Sequence, residues 1–355
     1  MKNTKVAIIG CGEVTNGHLS AWKKINSAKV VAVSDLNLDL AKATAKRWGI
    51  EKSFANLSDL IGQTQVDIVD ICTPPHTHAS IAIEAMDSGA NVLIEKPMTA
   101  RIEDAEAIVS HQKNLSSPVK VGIVHNWLFE RVVLQAQALV EQGFLGQILG
   151  IEVEAINTKY DSMAAKKDHW CHSLPGGRFS EMLAHPIYLT MNFLGDTKVV
   201  AVQRGKCGTY PWMASDELCV FFKSGERLGR AYASFNAPRE AIFIRIYGSE
   251  AILQADVINA VLTKLPRRQT TRFNRGYDSI RQAVQLTTST IGNVGRIVSG
   301  RWRSGHDECI RLFAESVLNN SKPPVTAEEG FAVAKVVDEA CQLIIEAEND
   351  DVSSV

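Results

Sequence analysis

Little excess charge marks this 355-residue chain: 38 Lys and Arg stand against 39 Asp and Glu, a formal net charge of −1. That balance argues against a general nucleic-acid binder, which needs a basic surface to neutralise phosphates. The seven cysteines form no C-x-x-C pair. An odd, scattered set excludes a disulfide framework and points to reduced thiols in a cytoplasmic protein. No apolar run is long enough to span a bilayer, and the first residues read as a strand, not a signal peptide. Internal repeats and low-complexity tracts are also lacking. What is present is ordinary for a soluble enzyme, 45% hydrophobic and 22% charged residues. The length exceeds one common core, so two domains are expected.

The most informative segment is Glu95-Lys96-Pro97. It follows Ala90-Asn91-Val92-Leu93-Ile94, an apolar run that reads as a buried parallel strand, and a helical stretch begins near Arg101. Ligands bind at the carboxyl ends of strands in open α/β sheets. A lysine placed there can hydrogen-bond a reacting oxygen.

A second segment has cofactor chemistry. Strand Lys5-Val6-Ala7-Ile8-Ile9 runs into Gly10-Cys11-Gly12-Glu13-Val14-Thr15, and a helical pattern follows. Gly10 suits a tight turn. Gly12 lets a pyrophosphate approach the backbone at a helix N-terminus, with Glu13 and Val14 beside it. Thr15 stands where G-x-G-x-x-G has its last small residue, which predicts looser packing of helix on strand. The strand Val30–Ser34 ends at Asp35, at the distance where an acid accepts the ribose hydroxyls. No Arg or Lys follows at Leu36, Asn37 or Leu38, so NAD is favoured, with NADP as the alternative.

Strand and helix patterns alternate to about residue 123, which predicts a doubly wound parallel domain over 1–124. From Gly150 onward, successive alternating strands at Val199, Glu217, Leu228, Ile242 and Ala251 predict a large open, mainly antiparallel sheet within 125–355. Helices are expected over Phe179–Leu194, Glu308–Leu318 and Ala327–Glu348, with a disordered polar tail.

These residues resemble the Gfo/Idh/MocA family, the relatives of glucose–fructose oxidoreductase and inositol dehydrogenase. The likeness rests on the Gly10–Thr15 turn with His18, on Thr73-Pro74-Pro75 with His78, on Glu95-Lys96-Pro97, and on the stretch Pro323–Gly330. It covers nearly the whole chain. It implies a Rossmann domain, a second α/β domain for substrate and oligomer contacts, NAD(P), and a sugar, nucleotide-sugar or cyclic polyol substrate. A homodimer or homotetramer is the implied assembly. The family's second block, D-x-G-x-H-x-x-D, is represented after Pro175-Gly176-Gly177 by Glu181, Leu183, His185 and Tyr188. His185 matches, Glu181 stands in the first acid position, and Tyr188 replaces the last Asp. His125-Asn126-Trp127 departs from the arginine-containing version.

His185 is then the expected general acid/base, Glu181 its orienter, and Lys96 the donor to the reacting oxygen. Residue types leave open which of Lys96 and His185 transfers the proton. Glu95 would hold Lys96 or face the cofactor. Thr73 and Pro74 would line the nicotinamide or ribose side of the cofactor cleft, and His78 would shape that cleft. Asn126, Tyr160, Trp170, Arg178 and Tyr188 are candidate substrate contacts, with Tyr188 equally a core residue. A redox-neutral enzyme with tightly held NAD, or a non-catalytic sensor, are the alternative functions.

Two other features invite readings. His169-Trp170-Cys171-His172 has the wrong spacing for a zinc site, so no metal is expected. Between Lys264 and Arg303 lie Arg267, Arg268, Arg272, Arg275, Arg281, Arg296 and Arg301, with Asp278 the only acid. A solvated helical hairpin or loop is expected there. A clamp for an anionic substrate, centred on Arg272 and Arg275, or contact with an anionic membrane surface, are the other readings.

Overall fold

The computed structural model describes residues 4–208, 210–269 and 271–353. The chain divides into two compact units: Met1–Asn126 with Gly305–Lys335, and Trp127–Ser304 with Val336–Val355.

The first unit alternates strand and helix: β1 (Thr4–Ile9), α1 (Thr15–Lys23), β2 (Ala28–Ser34), α2 (Leu38–Trp48), β3 (Lys52–Phe54), α3 (Leu57–Gln63), β4 (Ile68–Ile71), α4 (His78–Asp87), β5 (Asn91–Ile94), α5 (Ile102–Asn114) and β6 (Val121–Ile123). The six strands are parallel in the order β3-β2-β1-β4-β5-β6. This is the doubly wound arrangement with its crossover beside β1. Val6, Ile8, Ile68, Ile71, Val92, Ile94 and Val121 lose all exposure because helices cover both faces, which is why these strands read as continuous apolar runs. Helix α2 shows local control of boundaries. Asn37 accepts from the amides of Asp39 and Leu40, and Gly49 closes the helix at φ 69°.

The second unit holds α6 (Arg131–Glu141), β7 (Ile148–Thr158), α7 (Ser162–Ala165), α8 (Arg178–Leu194), β8 (Lys198–Gly205), β9 (Glu217–Ser224), β10 (Arg227–Ala237), β11 (Ala241–Gly248), β12 (Ala251–Asp256), β13 (Val261–Pro266) and α9 (Arg272–Val298). Its seven strands run β13-β12-β11-β7-β10-β9-β8. Only β7 and β10 pair in parallel; the other neighbours are antiparallel. Alternation along β7 buries Ile151, Val153 and Ala155 beneath α8 and leaves Glu152 and Glu154 on the open face.

Two helices complete the chain, α10 (Gly305–Leu318) and α11 (Ala327–Ser353). Residues 305–335, grouped with the second domain on sequence grounds, pack on the first unit's sheet edge. Gly122 explains this. A Cβ there would lie 2.6 Å from the ring of Phe313, so the bare backbone of β6 receives α10. The amide of Ile123 donates to Val325 at 3.2 Å on the same edge.

The segment expected as a hairpin or loop is instead the single 27-residue helix α9. Strands β3 and β13 and helix α3 were not foreseen, being short and weakly patterned. The expected disordered tail is helical to Ser353; residues 354 and 355 lie outside the described residues. Among the described residues no helix is long and apolar enough to cross a membrane.

Candidate active site

The turn after β1 shows what each glycine is for. Gly10 takes φ 94°, and a Cβ there would meet the carbonyl oxygen of Cys72 at 2.7 Å. A Cβ on Gly12 would meet nothing within 4 Å. Among the described residues no neighbour therefore demands glycine at position 12, and the open space fits a group that approaches the backbone closely. Helix α1 has no side-chain cap and no acid in its first turn, which leaves its amide-rich end suited to a phosphate. Glu13 is exposed and Val14 partly so. Thr15 is not loosely packed as expected. It is buried, and its hydroxyl donates to the carbonyl of Gly10 at 2.9 Å, so the side chain ties helix to turn. Cys11 is a packing residue whose burial pushes its thiol up to about 11.

Asp35 is half-buried at the end of β2. It accepts from the amide of Cys11 at 2.8 Å and from the amide of Asn37 at 2.8 Å. One carboxylate thus braces the glycine turn and stands beside it. Leu36, 91% exposed, supplies no cation.

Behind β4 and β5 lies a buried chain of polar groups. Asp70 accepts from the indole of Trp22 at 2.6 Å and meets Nδ1 of His18 at 2.8 Å. Nε2 of His18 meets Glu95 at 2.9 Å. His306 of α10 lies 3.4 Å from the same Glu95 oxygen, and its Nδ1 is 3.3 Å from the amide nitrogen of Asn126. The other Glu95 oxygen accepts from the backbone amide of Lys96 at 2.8 Å. Burial alone would depress the basicity of His18, but the Asp70 carboxylate outweighs it and the imidazole is held well above its ordinary value. Burial likewise opposes ionisation of Glu95. Hydrogen bonds from His18 and then His306 prevail and hold its carboxyl well below the usual range. Glu95 therefore holds Lys96 in place through the backbone. Lys96 itself is half-buried at the carboxyl end of β5, and the Lys96-Pro97 peptide is cis.

Thr73 and Pro74 are half-buried after β4. His78 opens α4 wholly buried, with its ring nitrogens at 3.1 Å from the Met98 carbonyl and 2.8 Å from the Thr73 carbonyl. It is an internal brace between the loops that carry Thr73 and Met98, and so shapes the cleft from behind. Burial lowers its pKa.

In the second unit, His185 sits on α8, which Gly177 at φ 62° starts. Pro186 follows it and removes one amide from the helix ladder. The imidazole stacks on Trp127, centroids 3.9 Å apart at 15°. Its Nδ1 lies 2.7 Å from the hydroxyl of Tyr188, and that hydroxyl accepts from the Trp127 amide at 3.0 Å. Tyr188, not the expected Glu181, is thus the residue at Nδ1. Glu181 pairs with Arg178, whose guanidinium also bridges Asp161 at 3.2 Å and lies over Phe235 at 4.9 Å. Arg178 and Glu181 are both buried, so the arginine serves this internal pair rather than the open substrate contact expected of it. Tyr160 is exposed in the turn between β7 and α7, and Trp170 is half-buried at the start of a short 3-10 helix before α8. His169, Cys171 and His172 take backbone partners: His169 accepts from the Cys171 amide, and the other two face the Met163 carbonyl.

Residues 4–123 match the family model described as an oxidoreductase family with an NAD-binding Rossmann fold. Residues 133–254 match the C-terminal domain of the same family. The chain belongs to the Gfo/Idh/MocA family. Among Gfo/Idh/MocA relatives, Oxidoreductase P35 of Formosa agariphila is 28% identical over 264 residues, 72% of this chain and 80% of its own length. Myo-inositol 2-dehydrogenase of Thermotoga maritima is 22% identical over 340 residues, 92% of each chain. The crystal structure of the WlbA dehydrogenase from Bordetella pertussis, in complex with NADH and UDP-GlcNAcA, aligns with a TM-score of 0.80 at 19% identity, covering 98% of this chain and 96% of that one. As a Gfo/Idh/MocA member the chain is an NAD-dependent oxidoreductase, and the open space at Gly12, the uncapped α1 and Asp35 fit that cofactor. The residues that sequence reasoning missed are Asp70, Trp22, His306 and Trp127. Only His18, four residues beyond Val14, carried a visible signal, as part of the glycine-turn motif.

Proposed function

We propose that this enzyme interconverts a carbinol and a ketone on a sugar, nucleotide-sugar or cyclic polyol. The observation that carries the reading is the fixing of Lys96 at the carboxyl end of β5 by Glu95, itself locked by His18 and Asp70. NAD, when bound, accepts or delivers the hydride. Gly12 and the first turn of α1 would hold its pyrophosphate, and Asp35 the adenosine ribose. The Asp35 carboxylate would repel a 2′-phosphate, which supports NAD over NADP. Lys96 donates a hydrogen bond to the substrate oxygen and stabilises charge that develops there. His185 exchanges the hydroxyl proton at Nε2, while the Tyr188 hydroxyl and the Trp127 ring hold the imidazole in one orientation. The stacked Trp127 also offers an apolar surface near that imidazole. The substrates named for the inositol dehydrogenase and the UDP-GlcNAcA complex support a polyhydroxylated ring as substrate. Seven unpaired cysteines support a cytoplasmic location. The open face of the second sheet, with Phe221, Leu228 and Phe243 exposed, supports a homodimer or homotetramer built on it.

Nicotinamide absorbance, followed against free sugars, inositols and UDP- or GDP-sugars with NAD and NADP, tests this. Turnover on one class is expected, falling by about 10²–10⁴-fold in Lys96→Ala and in His185→Ala. Tight NAD binding with no absorbance change on any class, in the presence of a new non-redox product, would replace this reading with a redox-neutral one.

A further inference from the structure

Helix α9 has its amphipathic faces reversed relative to the body it packs on. Its polar side is docked. Gln285 accepts from the amide of Lys264 at 2.9 Å and donates to the same residue's carbonyl at 3.3 Å, completing the edge of β13. The Asn293 amide donates to the carbonyls of Ala260 and Asn259 at 2.9 and 3.1 Å and accepts from Arg131 at 2.8 Å. These bonds fix the rotation of the helix about its axis. At about 100° per residue, the apolar residues Phe273, Ile280, Val284, Ile291, Val294 and Val298 then fall on the opposite side. They are 54% to 82% exposed. A row of this length, roughly 40 Å for 27 residues, is not left in water without a cover.

Charge chooses the cover. The stretch from Lys264 to Arg303 carries nine Lys and Arg against the single acid Asp278. Within it, Arg267 pairs with Glu250 and Arg268 with Asp278. Arg272 and Arg281 lie on opposite flanks of the apolar row, about a quarter turn from its centre. A second copy of the helix would bring like charge against like charge. An anionic lipid surface neutralises it, accepts the apolar row between acyl chains and leaves the flanking guanidiniums at the headgroups. Tyr277, with Arg268 4.5 Å from its ring centroid, adds an aromatic residue suited to that interface. We infer that α9 lies on an anionic bilayer surface and holds this enzyme there as a peripheral protein.

The test is co-sedimentation of the full chain with vesicles of phosphatidylcholine alone or mixed with phosphatidylglycerol, at low and high salt. Binding to the mixed vesicles at low salt is expected, weakened by salt. Combining Ile280→Asp with Ile291→Asp should reduce it at least tenfold, with NAD binding retained as the measure of folding. Arg272→Gln with Arg281→Gln should reduce it roughly fivefold per arginine. Failure to pellet with either vesicle, or pelleting unaffected by both variant pairs, would overturn the inference. So would a wild-type mass in solution that halves in the aspartate variant without any vesicle binding, which would assign the row to a second copy of the chain.

Discussion

Replacing His18 by Gln removes the cation that stands between two buried carboxylates. Asp70 is 0% and Glu95 4% exposed, and His18 bridges them at 2.8 and 2.9 Å. Deleting one member of a buried ionic set costs about 3–5 kcal/mol. Each carboxylate retains a donor, the Trp22 indole for Asp70 and the Lys96 amide for Glu95, so the lower end, about 3 kcal/mol, is expected. Urea unfolding followed by tryptophan fluorescence reads this as a midpoint lower by about 1 M. The pH dependence supplies a second check. His18 has a raised folded pKa, so its contribution is complete below its unfolded value near ~6.5 and is lost as pH rises toward the folded value. The gap between wild type and variant is therefore widest near pH ~6 and narrows above it, by at most ~1.4 kcal/mol per pH unit. Glu95 behaves oppositely: its contribution is present above ~4.5 and lost as pH falls through its lowered folded value. A variant within 1 kcal/mol of wild type, on the order of a surface change, or a gap independent of pH, would refute the buried-charge account.

Gly12→Val adds a side chain into open space, so stability should change by no more than about 1 kcal/mol while NAD affinity, measured by calorimetry, falls at least tenfold. Equal loss of stability and affinity would mean that the glycine serves the fold. Tyr188→Phe leaves the Trp127 amide and Nδ1 of His185 without their shared partner. Stability should drop by about 1–3 kcal/mol, and kcat should fall with KM nearly unchanged. An unaltered kcat would remove Tyr188 from any role in orienting the imidazole.

The two parts of the site differed in how much of them could be read from the chain. Gly10, Gly12, Asp35 and Lys96 work through backbone geometry at strand ends, and short local patterns encode those ends. The partners of Glu95 are spread from His18 to His306, and no local pattern connects residues nearly three hundred positions apart. Glu181 shows the converse error. Its place one turn before His185 on α8 suggested a pair, but Arg178 lies one turn before Glu181 and, bridged also to Asp161, takes its carboxylate. Spacing along a helix offered two partners, and burial with a cation settled which one holds.

By itself, the sequence determined the alternating β/α unit, the open sheet that follows, and the positions of the glycine turn and Lys96. Each of these follows from hydrophobic period and turn chemistry over fewer than about twenty residues. Tertiary structure alone decided that residues 305–335 return to the first sheet, that a histidine separates two buried carboxylates behind β4 and β5, and that α9 docks by its polar face. Those outcomes depend on which distant surfaces can be desolvated together: a bare Gly122 admits Phe313, a buried acid demands a cation, and Gln285 and Asn293 satisfy backbone groups that would otherwise be left open at the sheet edge.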